Sequence, residues 1–157
     1  MTTSIAIKKI LVPIDGSDLS FKAAAYAIHL AKVDNAKVTA LNVIEDIKQG
    51  GAIGLQAKYG NVSIFEAFKK VRRDSAQQWM TKIEREAKSQ GVPFQGNIID
   101  DKNTSSEAGV ITEYAHRNDF NLLVIGSKGR SKLKGLITGG VSNAVINSVK
   151  IPVLVVR

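Results

Sequence analysis

Four glycines near the end of the chain have the spacing of a phosphate-binding loop. Gly126 and Gly129 follow the apolar run of residues 122–125, and Gly139 and Gly140 precede a segment with helical periodicity. Glycine has no Cβ, so backbone amides can approach a ligand closely there. The first amides of a helix have no partner within the helix and lie at the positive end of its dipole, which favours an anion. The pattern predicts either a phosphate site or an ordinary strand-to-helix connection.

Charged side chains accompany this loop and the end of the first apolar run. The loop carries Lys128, Arg130, Lys132 and Lys134. These lysines and the arginine suit phosphate groups, or they form a solvated basic edge. Asp15 follows the apolar run of residues 10–14. Its carboxylate can accept hydrogen bonds from ribose hydroxyls, hold a metal ion or cap the turn.

Several common catalytic and binding signatures are absent from the sequence. The chain has neither the GxxxxGK[ST] phosphate loop nor the GxGxxG dinucleotide motif, and it has no HExxH or GxSxG sequence. His29 and His116 are far apart in sequence and are interpreted as surface or packing residues. The sequence therefore predicts a binding site without an evident pair of nucleophile and base.

The composition is that of a globular protein, and we expect residues 1–157 to form one domain. The chain has no cysteine, no long apolar run and no secretory signal, so we expect a cytoplasmic protein without a membrane span. The net charge is +8, but the basic residues are spread along the chain beside acidic ones. Nucleic acid is therefore not an expected partner.

Apolar runs alternate with segments of helical periodicity, which predicts a parallel sheet with helices on both faces. The predicted strands are residues 10–14, Lys37–Glu45, 94–99, 122–125 and Val153–Val156. The predicted helices are residues 19–32, 64–89, a segment that begins near residue 107, and residues 141–149. Residues 49–62 are rich in glycine and are interpreted as a mobile loop or flap. In such sheets the ligand crevice lies beyond the carboxyl ends of the strands, so Asp15 and Gly126 reach one crevice if their strands are neighbours.

Short polar and glycine signals predict where the helices begin and end. Ser17 is a predicted N-cap, and Gly91 is placed to cap the C-terminus of the long helix. Thr104 and Glu107 have the spacing of a capping box. The weak alternation of residues 94–99 favours an edge strand, and Trp79 on the long helix is interpreted as a packing residue.

Three parts of the chain resemble the universal stress proteins. Gly126, Gly129 and Gly139 match the Gly-x2-Gly-x9-Gly spacing of the family's nucleotide motif. The opening ILVPIDGS and the ending IPVLVV also resemble that family. The resemblance covers essentially the whole chain in the right order.

The resemblance implies a single α/β domain of the adenine nucleotide alpha hydrolase-like type, with five parallel strands in the order 3-2-1-4-5. It implies a homodimer joined through Val153–Val156 and ATP or AMP as ligand, with Mg²⁺ a possible companion of the phosphates. Carried over by position, the adenosine side comprises Pro13, Ile14 and Asp15, and Val43 packs on the base. The residues expected around ribose and phosphates are Gly126, Lys128, Gly129, Gly139, Gly140, Val141 and Ser142. Ile125 is also expected among the nucleotide-binding residues.

One position departs from the family pattern, because Gly140 stands where the family has serine or threonine. A lost hydrogen bond to a charged group weakens binding by about 1.5–3 kcal/mol. Ser142 is a candidate replacement donor. The leading hypothesis is a non-catalytic, adenine-nucleotide-binding stress-response protein, and the alternatives are a weak ATPase or a dimeric interaction module that has lost nucleotide binding.

Overall fold

Five parallel strands form one sheet in the computed structural model, which describes residues 3–45, 62–101, 106–129 and 140–157. The strands are β1 (Lys9–Pro13), β2 (Lys37–Glu45), β3 (Phe94–Asp101), β4 (Leu122–Gly126) and β5 (Val153–Val156). Their order across the sheet is β3-β2-β1-β4-β5. The predicted fold class and the order 3-2-1-4-5 are confirmed.

The strand order reverses at β1, which pairs with β2 on one side and with β4 on the other. Ile10 lies opposite Val38 of β2 and opposite Leu122 of β4. The chain therefore leaves the carboxyl ends of β1 and β4 side by side. That junction is where open parallel sheets bind their ligands.

Four helices in the described ranges cover the two faces of the sheet. They are α1 (Asp18–Asp34), α2 (Val62–Ser89), α3 (Glu107–Arg117) and α4 (Gly140–Ser148). Alternate strand residues point to opposite faces, so Val12 packs with α1 and α2 while Leu11 packs with α3 and α4. Each face has its own buried apolar cluster, and strands buried on both faces explain the nearly continuous apolar runs. No helix in these described ranges is both long and apolar enough to span a membrane.

Local capping signals place two helix ends where the sequence predicts them. The Ser17 side chain accepts a hydrogen bond from the amide of Ser20, and this bond caps the start of α1. At the end of α2, Gly91 has a φ of +71°, and the amide of Val92 donates to the carbonyl of Ala87 at 2.9 Å. This arrangement is a Schellman motif, in which glycine adopts the left-handed conformation without strain.

The predicted capping box at Thr104 is wrong. The N-cap of α3 is Ser106, whose hydroxyl accepts a hydrogen bond from the amide of Gly109. Glu107 is therefore the first residue of the helix rather than the third, and it stands beside the end of β2. Thr104 itself lies outside the described residues.

The two outer strands differ in how their edges are presented. β3 lies at one edge of the sheet, which confirms its prediction as an edge strand, and it extends to Asp101. β5 lies at the other edge and is only partly covered within the protomer. The predicted flap at residues 49–62 falls outside the described residues except for Val62, which begins α2.

Candidate functional site

A cavity of about 610 Å³ opens beyond the carboxyl ends of β1, β2 and β4. Its walls come from these strand ends, from the N-terminal residues of α3 and α4, and from one side of α2. The volume is within the range of small-molecule sites, about 300–1,000 Å³. The fold therefore places a ligand-sized cavity at the point where the strand order reverses.

Eleven of the twelve residues predicted for the site line this one cavity, and Gly139 lies outside the described residues. The lining residues from that set are Pro13, Ile14, Asp15, Val43, Ile125, Gly126, Lys128, Gly129, Gly140, Val141 and Ser142. They belong to separate parts of the chain, and the sheet topology brings them together. The structure thus assembles the predicted residues, while their binding of a nucleotide stays a prediction.

Asp15 and Gly129 both line the cavity and lie against each other. The Oδ1 atom of Asp15 accepts a hydrogen bond from the amide of Ser17 at 2.9 Å, which fixes the turn after β1. A Cβ atom added to Gly129 would lie 2.5 Å from the Oδ2 atom of Asp15. Gly129 does not have a left-handed φ, so this close approach is what requires glycine here.

Trp79 holds the same turn from the other side. Gly16 has a φ of +82°, and a Cβ atom there would overlap the Trp79 indole, whose Cε2 atom would be 2.5 Å away. Trp79 also packs against the apolar cluster beneath α1 and α2 and lines the cavity. Its predicted packing role is correct, and the residue it packs on is the neighbour of Asp15.

Ser142 does not present a free hydroxyl donor to the cavity. Its Oγ donates to the carbonyl of Gly126 at 2.7 Å, and the residue is buried. A hydroxyl has one proton to donate, so this one is already used. The bond ties the start of α4 to the end of β4, and the role of Ser142 as a replacement phosphate donor stays a prediction.

Gly140 begins α4, and no other part of the described chain crowds it. A Cβ atom at this position would meet no atom of residues 3–45, 62–101, 106–129 or the rest of 140–157 within 4 Å, apart from its chain neighbours and its own helix backbone. Its amide belongs to the first turn of the helix, where amides lack intrahelical acceptors. A serine side chain would therefore fit at Gly140 without moving any of these described residues.

Two carboxylates in the cavity, those of Glu45 and Glu107, were not predicted as site residues from the sequence. Glu45 ends β2, and its Oε1 atom accepts a hydrogen bond from the amide of Glu107 at 3.3 Å. Burial and then the negative charges of Glu45 and Asp15 raise the pKa of Glu107 to about 7, while Arg72 acts in the opposite direction. The position of Glu45 at the end of β2 could have marked it as a site residue, because Asp15 was predicted from its position at the end of β1. No comparable signal marked Glu107, because its place depended on where α3 begins.

This raised pKa predicts how stability depends on pH. Folded protein holds a proton on Glu107 in the range between 4.5 and about 7, whereas the unfolded chain has lost it. The free energy of unfolding should therefore fall as pH rises through this window, by ~1–3 kcal/mol for a group that is not fully buried. Glu107→Gln removes the titration, so urea denaturation should show the variant gaining stability over the wild type between about pH 4.5 and about pH 8.

Glu113→Gln is the matched control, since Glu113 lies on the same helix but is exposed and ion-paired with Arg117. The pH dependence of the Glu107→Gln difference should exceed that of this control. If the two variants depend on pH equally, the carboxyl of Glu107 does not titrate as described.

Apolar side chains from three elements form the remaining walls. Val43 of β2 and Ile111 of α3 are buried, whereas Phe68 and Val71 of α2 are 39% and 64% exposed. The Arg72 guanidinium lies 5.0 Å from the centre of the Phe68 ring. The cavity thus combines flat apolar surfaces with carboxylates on one side of β1 and glycine amides on the other. Within the described ranges, no group of three or more histidine or acidic side chains is arranged to hold a metal ion.

The model of the universal stress protein family matches residues 6–157. The chain belongs to the universal stress protein family. A family member from Methanocaldococcus jannaschii is 31% identical over 150 residues, which cover 96% of this chain and 82% of that protein. The universal stress protein YxiE of Bacillus subtilis is 32% identical over 163 residues, covering 95% and 98% of the two chains.

Solved structures of universal stress proteins share the fold at lower sequence identity. UspA from Lactobacillus plantarum superposes with a TM-score of 0.76 at 21% identity, over 98% of this chain and 100% of its own. A universal stress protein in complex with cAMP has a TM-score of 0.67 at 22% identity, over 98% of both chains. The Archaeoglobus fulgidus protein in complex with dAMP has a TM-score of 0.64 at 14% identity, over 98% of this chain and 100% of its own.

Proposed function

We propose that this universal stress protein binds adenine nucleotide, ATP or AMP, in the cavity beyond β1, β2 and β4, and acts as a non-catalytic stress-response protein. The observation that carries the proposal is the contact between Asp15 and Gly129, which closes the β1 turn against the loop after β4. Gly126, Gly129 and the start of α4 line the cavity on the β4 side, where phosphates would bind. Mg²⁺ would accompany the phosphates, and the cytoplasmic setting stays a prediction from the sequence.

The nucleotide complexes of related structures support this proposal. Family members with the same fold are described in complex with cAMP and with dAMP, two adenine nucleotides with a single phosphate. Their sequence identity to this chain is 22% and 14%, so the likeness shows the shared fold alone. Support for a nucleotide ligand must therefore come from the residues that line the cavity. Eleven of the positions that the family resemblance predicts line the cavity, with Gly140 departing from the family's serine or threonine.

Calorimetric titration with ATP, AMP, cAMP and GTP tests the proposal directly. We expect saturable binding of the adenine nucleotides. Lys128→Ala is a useful comparison, because Lys128 is exposed and an exposed charge contributes about 1 kcal/mol or less. Absence of binding at millimolar concentrations of all four nucleotides would contradict the proposal.

Gly140→Ser should tighten ATP binding. The added hydroxyl supplies a donor at the first residue of α4, where open space is available. A hydrogen bond to a charged group contributes about 1.5–3 kcal/mol, which corresponds to roughly a 10- to 100-fold gain in affinity. Gly140→Ala adds the Cβ without the donor and should bind as the wild type does. Equal ATP affinities of the serine and alanine variants would show that no phosphate group binds beside residue 140.

The glycine at position 140 also favours the second candidate function, an interaction module that has lost nucleotide binding. If the protein is such an interaction module, the wild type should bind no nucleotide, whereas Gly140→Ser should bind it. The weak-ATPase alternative predicts phosphate release that depends on Asp15. An Asp15→Asn variant that binds ATP with release reduced to background would favour it.

We further propose that the protein forms a homodimer through β5. This strand is apolar and lies at an open edge of the sheet, where unpaired backbone groups favour pairing with a second chain. The amides of Leu123 and Ser127 donate to the carbonyls of Pro152 and Val156, so residues 152 and 156 face β4. Because backbone groups alternate along a strand, the amide of Val155 points to the open edge.

Val155→Pro should therefore weaken the dimer while leaving the bonds between β4 and β5 in place. Proline removes the outward amide from both copies, and two lost hydrogen bonds of about 0.5–1.5 kcal/mol each raise the dissociation constant roughly 10- to 100-fold. Val155→Ala trims the side chain but keeps the amide, so it controls for lost packing. Substitution of Val156 is unsuitable, because that side chain is buried within the protomer. A wild type that sediments as a monomer at micromolar concentration would contradict the dimer.

A further inference from the structure

The cavity has two chemically different sides, separated by β1. On the β4 side are Gly126, Gly129 and the start of α4 at Gly140. On the β2 side are the carboxyl groups of Glu45 and Glu107, joined through the bond from the Glu107 amide to Glu45. The strand order β2-β1-β4 places these two sides apart.

The β2 side is unsuited to phosphate but suited to a nucleobase. Carboxylates repel phosphate, whereas they accept hydrogen bonds from the exocyclic amino groups of bases. The apolar surfaces beside them are large and accessible, since Phe68 is 39% and Val71 is 64% exposed, and aromatic rings stack on bases. If the phosphates occupy the β4 side, the base lies against α2 with one edge near the first residue of α3.

We propose that Glu107 is the residue that determines which base the cavity accepts, selecting adenine when it carries a proton and guanine when it is ionised. This inference rests on the proposed nucleotide-binding function and assigns Glu107 a role within that site. A protonated carboxyl group has one donor and one acceptor, which match the ring nitrogen and the amino group on an adenine edge. An ionised carboxylate has only acceptors, which match the adjacent N–H and amino groups of guanine.

The groups around Glu107 cause its carboxyl group to lose its proton near neutral pH. Glu45 from β2 and Asp15 from the end of β1 oppose its ionisation, and Arg72 from α2 favours it. Lys128, which follows β4, is the other positive side chain among the described residues that line the cavity. The pKa of Glu107 is raised to about 7, chiefly by burial, so the residue can change its hydrogen-bonding pattern within the physiological range.

The test measures the affinities of AMP and GMP by calorimetry at about pH 5.5 and about pH 8.5. Comparing the two nucleotides as a ratio cancels the titration of their phosphate groups, whose second pKa is near 6. For the wild type we expect the preference for AMP over GMP to fall at least about tenfold between the two pH values. Glu107→Gln offers a permanent donor and acceptor, as glutamine does to adenine, so its preference for AMP should change less than about twofold.

Glu113→Gln is the control, because it removes a glutamate of α3 that lies outside the cavity. Its preference for AMP over GMP should change with pH as that of the wild type does. If AMP and GMP bind but the wild type and Glu107→Gln have the same ratio at both pH values, the inference is overturned and the nucleotide site stands. If neither nucleotide binds at either pH, the proposed function fails and this inference fails with it.

Discussion

Gly129→Val is expected to abolish detectable nucleotide binding while the protein stays folded. The Cβ of the new side chain would lie 2.5 Å from the Asp15 carboxylate, which the amide of Ser17 holds in place. Either Asp15 leaves its position or the loop after β4 moves away from the cavity. Both changes remove the contact that closes the site, so we expect a loss of affinity of at least about 100-fold, equivalent to ~3 kcal/mol.

Gly140→Ala is the matched control, because it also replaces a cavity glycine but places its Cβ in open space. Its affinity should lie within about threefold of the wild type, and thermal melts should show both variants folded. Unchanged binding by Gly129→Val would mean that the loop after β4 does not form the phosphate side of the site.

Gly16→Ala is expected to cause a large loss of stability. Alanine at a φ of +82° is strained, by about 1–2 kcal/mol, and its Cβ would overlap the Trp79 ring. Displacing a partly buried indole adds packing loss and brings the expected decrease in the free energy of unfolding to ~2–4 kcal/mol. Urea denaturation measures this decrease, and the single tryptophan reports the displaced ring by its fluorescence.

Gly91→Ala separates the two contributions to this loss. Gly91 also has a left-handed φ, +71°, but apart from its chain neighbours no atom in the described part of the chain lies within 4 Å of its Cβ position. Its loss should therefore be the strain alone, about 1–2 kcal/mol. Equal losses for the Gly16 and Gly91 variants would show that Trp79 does not pack against the turn that carries Asp15.

The fold was predictable because each element carries its own signal in the sequence. Strands buried on both faces require continuous apolar runs. Ser17 begins α1 and Gly91 ends α2 through hydrogen bonds between residues nearby in sequence. The start of α3 was predicted wrongly because three consecutive hydroxyl residues, Thr104, Ser105 and Ser106, can each cap a helix. Choosing among them depends on how α3 docks beside β2, which is a tertiary effect.

The candidate site was predictable where it follows strand ends and unpredictable where it depends on packing between helices. Asp15 and Gly126 were expected in one crevice if their strands are neighbours, and β1 does pair with β4. Arg72 and Phe68 reach the cavity through the way α2 crosses the sheet. Helical periodicity marked Phe68 only as a packing residue and did not mark Arg72. The partner of the Ser142 hydroxyl likewise depends on the distance between α4 and the end of β4.

Mapping of AMP binding by nuclear magnetic resonance tests the account most directly. A titration of isotope-labelled protein followed through its backbone amides locates the ligand residue by residue. We expect saturable shifts concentrated at Asp15, Val43, Gly129 and Gly140, on the strand ends and the start of α4 that line the cavity. An absence of shifts at millimolar AMP, or shifts confined to the opposite end of the sheet near Lys37, would contradict a nucleotide site in this cavity.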